Sequence, residues 1–365
     1  MSPPHAMLDG KTILVTGGTG SFGQQFVETV LKISRPEAIR IYSRDELKQQ
    51  QMQHRIPDPR LRFLIGDVRD KERLYRAMRG VDLVVHAAAL KQVPACEYNP
   101  FEAVKTNVLG AANVIDAAID CGVDRVLAIS TDKAVNPINL YGATKLCAEK
   151  LFIQSNAYSG EGRKRFSCAR YGNVVASRGS VIPLLLQQRA TGRVTVTDRR
   201  MTRFWITLEQ GVEFVLHCLE VMHGGELFVP KLPSMNLMDL VDAIAPGCEV
   251  ALTGIRPGEK LHEVLIAPDE ARHTLEFPDM FVILPLHSWW KADRWEEGKP
   301  LADGTAYSSA TASRLSVKEL RRIVGQLEPP SVAPVTSDGE EDGPVTVAPG
   351  PRTPARRKRA LVERG

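Results

Sequence analysis

The sequence predicts an α/β protein: a doubly wound parallel sheet followed by a smaller mixed α/β lobe. Three observations predict it. A glycine-rich turn, TGGTGSFG at residues 16–23, separates a strand-like run from a helix-like one. Short β-branched runs then alternate with helix-compatible segments to about residue 176. Beyond that point the alternation weakens. Strands alternating with helices imply βαβ units, and right-handed crossovers wind the helices over both faces of one sheet.

The elements follow in order. TILVT (12–16) is a short apolar run that ends in glycines, the mark of a buried strand. Phe22, Phe26, Val27, Val30 and Leu31 recur at helical spacing, and Pro36 closes the segment. AIRIYS (38–43), RFLIGD (62–67), DLVVHAA (82–88) and RVLAIS (125–130) are further strands, each with a helix-compatible stretch behind it. FSCARYGNVV (166–175) reads as one more strand. Residues 1–176 thus form a first domain, and 177–327 a smaller lobe, partly interleaved with it. From about Glu328 the chain turns rich in Pro, Gly, Ser and charge, with no apolar periodicity, so 328–365 is expected to be a disordered tail with a basic end.

Composition narrows the function classes. The chain has 365 residues, 43% apolar, and a formal net charge of only +4, which does not point to nucleic acid. Six scattered cysteines without a Cys-x-x-Cys fit reduced thiols in a cytoplasmic protein. The N-terminal stretch lacks the pattern of a signal peptide. No apolar run approaches the roughly 18–20 residues that span a bilayer. The histidines show no metal spacing, so no metal is expected. His86 and His262 read as packed residues.

The turn at 16–23 carries the first chemistry. Thr16 ends the strand. Gly17 permits the tight turn, Gly20 lets the backbone approach a pyrophosphate, and Gly23 lets the helix pack closely. Ser21 and Phe22 begin a helix whose free N–H groups face the phosphates. At the end of the second strand stand Ser43 and Arg44, where a carboxylate would mark NAD. Arg44 can grip a 2′-phosphate bidentately, which favours NADP; Asp45 leaves NAD open. Asp67 and Val68 fall where an adenine edge is usually held, and Asp67 is alternatively a helix cap. Ala87 ends the fourth strand.

The segment STDKAVNPINLYGATK (130–145) carries the second. Tyr141 and Lys145, four apart, share a helix face. The lysine ammonium is expected to lower the tyrosine pKa and ready the phenolate to take a proton from an alcohol. Thr131, Asp132 and Lys133 sit at the C-terminal end of a parallel strand, where doubly wound folds place ligands. An acid beside a base there suggests a second step of proton chemistry; a solvated surface pair is the plainer alternative.

Taken in order, TGGTGSFG, the alanines at 87–89, Asn107, Ser130-Thr131 and Tyr-x-x-x-Lys resemble the extended short-chain dehydrogenases/reductases, a Rossmann family. The longer stretches STDKAVNPINLYGATK, RYGNVVASRGSVIP, MTRFWIT, HGGELFVPK and RPGEKLHE resemble the inverting UDP-N-acetylglucosamine 4,6-dehydratases, which open the pseudaminic acid pathway. The likeness covers about residues 8–325. It implies C4 oxidation by Tyr141 with NADP, loss of water across C5–C6, and return of hydride to C6. It implies Asp132 as acid for the 6-hydroxyl, Lys133 as base at C5, and Thr131 as partner of the 4-oxygen. Near neutrality this asks for Asp132 raised by burial and Lys133 lowered by burial and nearby cations. Lys91, Asn173, Arg178, Arg256 and Glu259 are the expected substrate contacts, with one of Arg199, Arg200 and Arg203 beside them. The resemblance also implies a homo-oligomer. A C5-retaining dehydratase or a UDP-sugar epimerase of the same fold remains open, as does, more distantly, a non-catalytic NADP-binding regulator.

Overall fold

The computed structural model describes residues 5–159, 165–175, 181–286 and 295–327. Arg178 and the expected tail at 328–365 lie outside the described residues. The strands of the first part are β1 (Thr12–Thr16), β2 (Ala38–Ser43), β3 (Leu61–Ile65), β4 (Leu83–His86), β5 (Arg125–Thr131) and β6 (Arg165–Tyr171). All pair in parallel, in the order β3-β2-β1-β4-β5-β6, and Leu227–Pro230 joins parallel to β6. Three more strands, Met280–Ile283, Thr274–Glu276 and Lys299–Pro300, extend this edge antiparallel to a total of ten. The sheet is the doubly wound parallel sheet expected from the sequence, with an antiparallel extension at one edge. Every residue of β1 is buried, because helices cover both faces and leave no polar side for alternation.

The winding reverses between β1 and β4, whose chain neighbours lie on opposite sides. A crevice opens there at the C-terminal strand ends. The helix Ser21–Ile33 buries Gly23, Phe26, Val27 and Val30 against the core. The helix Leu140–Gln154 carries Tyr141 and Lys145 on its buried side. Its base is tied down by an ionic network. Arg170 of β6 donates to both oxygens of Glu149 at 3.0 and 2.7 Å and to Glu270 at 2.9 Å, and Ser130 of β5 donates to Glu149.

The single strand expected at 166–175 is broken. A Cβ on Gly172 would stand 2.5 Å from the Phe204 Cβ, and glycine lets the two backbones pass this close. β6 ends at Tyr171, and Asn173–Val174 leaves the large sheet to pair with Thr202–Ile206. A second hydrophobic cluster forms beyond the break. Leu185, Trp205, Leu240, Ile244 and Leu320 pack there, beneath a parallel pair made by Arg193–Val196 and Glu249–Leu252.

Candidate active site

The glycine turn meets its neighbours where any side chain would collide. Gly17 has φ +68°, and a Cβ there would lie 2.9 Å from the Ala88 backbone. A Cβ on Gly23 would lie 2.5 Å from the Gly18 Cα. The third glycine therefore seats the helix on the turn itself rather than on the sheet. Gly20 caps that helix without a side-chain bond, which leaves the first-turn N–H groups for an anion. Thr16 plays a different part from its neighbours. Its hydroxyl shares a 2.8 Å hydrogen bond with His86 Nδ1, locking the ends of β1 and β4 together. His86 is buried, and burial, helped by the charge of Lys145, pushes it down to about 3.

A cavity of about 1070 Å³ opens along these strand ends. Its lining brings together Gly17, Gly20, Ser21, Phe22, Gly23, Ser43, Arg44, Asp67, Val68 and Ala87 with Thr131, Lys133, Tyr141 and Lys145. Lys91, Asn173, Arg256 and Glu259 line it too. Thr16 and Asp132 do not. The cradle fits a dinucleotide: bare glycine backbone, a helix N-terminus, and Arg44 at the end of β2. Arg44 lies 3.6 Å from Asp67 and is half exposed. Asp67 is no helix cap; that task falls to Asp70. Burial works against the Asp67 charge, but bonds from Arg69 outweigh it and hold the carboxyl low. Asp45 is taken up as the cap of the next helix and as the partner of Lys48.

The acid and base sit on a tight turn. β5 ends at Thr131, and Asp132–Ala134 form one 3₁₀ turn. Gly142 explains why the two halves of the segment travel together. A Cβ on Gly142 would be driven into the Lys133 carbonyl oxygen, so the turn lies directly on the first turn of the tyrosine helix. Asn139 caps that helix by accepting from the Gly142 N–H at 2.7 Å, and its amide donates to the Gly258 carbonyl at 2.8 Å. The RPGEK loop is thereby pinned to the same helix end. On the other flank Asn107 bonds both the Leu90 backbone and Thr144. It lies in a π-helical stretch, Lys105–Leu109, a distortion frequent at functional sites.

Two expectations about charge are corrected here. Burial pushes Tyr141 up to about 12; the cation that pulls it down is Lys133, aided by a hydrogen bond with Thr131. Lys145 instead donates to the Ile129 carbonyl at 2.7 Å, and burial holds its amine below the usual lysine range. Lys133 was expected to be lowered. Burial does act in that direction, but Asp132 and Glu263 overcome it and hold the ammonium above its ordinary value. Its Nζ donates to Asp132 Oδ1 at 3.0 Å and to Asn173 Oδ1 at 3.1 Å, and lies 3.6 Å from Glu263 Oε1. Lys91 is lowered by burial, then by Lys133.

Asp132 is fully buried. Its Oδ1 accepts from the Thr131 hydroxyl at 2.9 Å as well as from Lys133. Its Oδ2 has no hydrogen-bond partner among the described residues. An unpartnered buried oxygen of this kind costs roughly 1–3 kcal/mol.

Residues 13–285 match the polysaccharide biosynthesis protein family. Over 332 residues the chain is 50% identical to a UDP-N-acetylglucosamine 4,6-dehydratase (inverting) of Campylobacter jejuni, covering 88% of this chain and 99% of that one. The chain belongs to this dehydratase family. A UDP-glucose 4-epimerase of Rickettsia conorii is 42% identical over 88% of this chain and 97% of its own. Among solved structures, Pen from Bacillus thuringiensis superposes with a TM-score of 0.81 at 37% identity, covering 87% of this chain and 98% of that one.

Against that family background, the expected substrate contacts divide. Arg256 and Glu259 pair with each other across 3.9 Å. Of the three clustered arginines only Arg203 lines the cavity; Arg200 is spent on Asp198 at the surface. His262 bonds the Thr202 hydroxyl. Sequence reasoning missed Glu263, which stands next to His262, is 3% exposed and faces Lys133. The signal was a lone acidic residue leading into the apolar strand Val264–Ile266. No helix among the described residues is long and apolar enough to cross a membrane.

Proposed function

We propose that this protein is a UDP-N-acetylglucosamine 4,6-dehydratase that inverts C5, uses NADP, works in the cytoplasm as a homo-oligomer and feeds pseudaminic acid synthesis. One observation carries the reading: a redox pair, Tyr141 and Lys145, and a proton-transfer set, Thr131 and Lys133 backed by Asp132, meet at one cavity on two turns packed in contact. The 50% identity to an inverting dehydratase over nearly its whole length supports the substrate. Arg44 at the end of β2, with Asp45 already engaged, supports NADP over NAD.

A bound nicotinamide dinucleotide supplies the hydride acceptor for C4 and the hydride for C6. Tyr141 takes the proton of the 4-hydroxyl. The 4-ketone acidifies C5, and Lys133 removes the C5 proton. Asp132 provides the proton with which the 6-hydroxyl leaves as water, passed through the Thr131 hydroxyl that it holds at 2.9 Å. Lys133 then protonates C5 on the opposite face, and the proton kept by Tyr141 restores Asp132. The diphosphate is met by Arg256 and Lys91, the uridine ribose by Glu259, and a sugar oxygen by Asn173.

The test is incubation with UDP-N-acetylglucosamine in D2O, followed by NMR. The expected product is the 4-keto-6-deoxy sugar with deuterium at C5 and L-arabino configuration. Retention at C5 would move the protein to a retaining dehydratase. An epimer formed without loss of water would favour the reaction named for the Rickettsia relative.

A further inference from the structure

We propose that Glu263 is the positioning partner of Lys133: the carboxylate that takes the ammonium proton and so frees the amine to act at C5. The inference rests on the dehydratase reading and deepens it. Glu263 is held at both ends of its peptide by Ser309. Its N–H donates to the Ser309 hydroxyl at 2.9 Å, and its carbonyl accepts from the Ser309 N–H at 2.8 Å. The backbone is thereby fixed, and the side chain it carries is buried. Its Oε1 lies 3.6 Å from Lys133 Nζ and 3.8 Å from Arg203 Nε. Its Oε2 is buried and has no hydrogen-bond partner among the described residues.

A lysine held charged by its acidic neighbours cannot take a proton from carbon. Glu263 provides the way out. Lys133 as ammonium and Glu263 as carboxylate become amine and carboxylic acid by one proton transfer, with no change in net charge and no outside reagent. The neutral amine then accepts the C5 proton and later returns to C5 one of its solvent-exchanged protons. Asp132, although bonded to Lys133 at 3.0 Å, is the less suitable receiver, because in the proposed reaction it must already hold the proton that leaves with the 6-hydroxyl. The other charged and titratable groups around Lys133 are Arg203, Lys260, Lys91 and Tyr141. Lys260 donates to the Val135 carbonyl at the back of the same turn. These cations keep the site from becoming anionic while Glu263 exchanges its proton.

The experiment compares wild type with Glu263→Gln and Glu263→Asp, using UDP-N-acetylglucosamine in D2O. Single-turnover absorbance of the reduced dinucleotide reads C4 oxidation; deuterium entry at C5 reads the Lys133 step. For Glu263→Gln, C4 oxidation stays within a few-fold of wild type, while C5 exchange slows by about 100-fold. Its residual rate climbs with pH, because Lys133 must now lose its proton to solvent; the wild-type rate stays flat over the same range. Glu263→Asp keeps a proton acceptor and recovers at least tenfold over Gln. C5 exchange within about twofold of wild type in Glu263→Gln, or equal slowing of Gln and Asp variants, overturns the proposal and leaves Glu263 a counter-ion. Should Glu263→Gln fail to fold, the Asp variant decides: a flat pH profile supports the proposal, and a profile that climbs with pH overturns it. Failure of the dehydratase reading is distinguishable, since wild type itself would then release no water, and the inference falls with it.

Discussion

Lys145, on the tyrosine helix, and Lys133, on the turn packed against it, face one cavity and are shifted in opposite directions. Burial acts on both and disfavours both charges. Lys145 donates to the Ile129 carbonyl, burial outweighs the more distant charge of Glu149, and its amine falls below the usual lysine range. Lys133 has Asp132 at 3.0 Å and Glu263 at 3.6 Å, and rises above it. Counter-charge, not depth, decides the sign. The two lysines are thereby set for different work: one as an amine whose charge burial disfavours, the other as an ammonium that needs a partner before it can act as a base.

Removing the ammonium breaks this contrast most directly. In Lys133→Met the rate of water loss is expected to fall by about 10²–10⁴-fold, while dinucleotide reduction slows less, because Tyr141 and Lys145 remain in place although Tyr141 loses the cation that lowers it. Stability falls as well. Two buried carboxylates lose their partner, at a cost of about 3–5 kcal/mol. The sign follows from the raised value: this stabilisation is intact below the ordinary lysine pKa of about 10.4 and drains only as pH rises through the folded-state value. Denaturation of both proteins at pH 7 should therefore show the full difference. A variant that loses dinucleotide reduction along with water loss would mean the two turns do not divide the chemistry.

A smaller effect tests the contact between the turns. Gly142→Ala forces a methyl against the Lys133 carbonyl. Overpacking of this kind costs about 1–3 kcal/mol, and a displacement near 1 Å in a catalytic group can cost about 100-fold in rate. The expected result is a stable, dinucleotide-binding protein whose water loss is cut by about 100-fold. Unchanged turnover would show that the turn tolerates movement and that Lys133 does not depend on its seat.

How much of this was legible in the sequence follows from distance along the chain. The glycine turn is local: spacing announced Gly17, Gly20 and Gly23, and the structure adds only that Gly23 meets Gly18. Tyr141 and Lys145 are one helical turn apart, and period alone put them on one face. Thr131 and Lys133 were legible because strand ends line the crevice. Glu263 was not, since the segment reaches Lys133 only through Ser309 and the pairing of Val264–Ile266 with Tyr307–Ser308. The break at Gly172 depends on Phe204, and the rise of Lys133 depends on Glu263 as well as on the adjacent Asp132. Each of these is set by a contact that no local pattern encodes. Ser43 and Arg44 were readable as a position, but only the structure shows Asp45 committed to its own helix.

The smallest effect reads the charge of Lys145 through His86. That histidine is buried against Thr16, and burial with the Lys145 charge lowers it to about 3, against about 6.5 in an unfolded chain. A depressed base stabilises the fold in its neutral form. The contribution is complete above pH 6.5 and is lost as pH falls from there toward 3, at up to about 1.4 kcal/mol per pH unit. Carboxylates add their own acid slope, so the informative quantity is a difference. His86→Asn should lose less stability than wild type between pH 7 and pH 4 in denaturant titrations. Lys145→Met should fall between the two, because it removes the weaker cause and leaves burial in place. Parallel slopes for all three proteins would show that His86 takes its proton without unfolding, and that Lys145 carries too little charge across the sheet to be felt there.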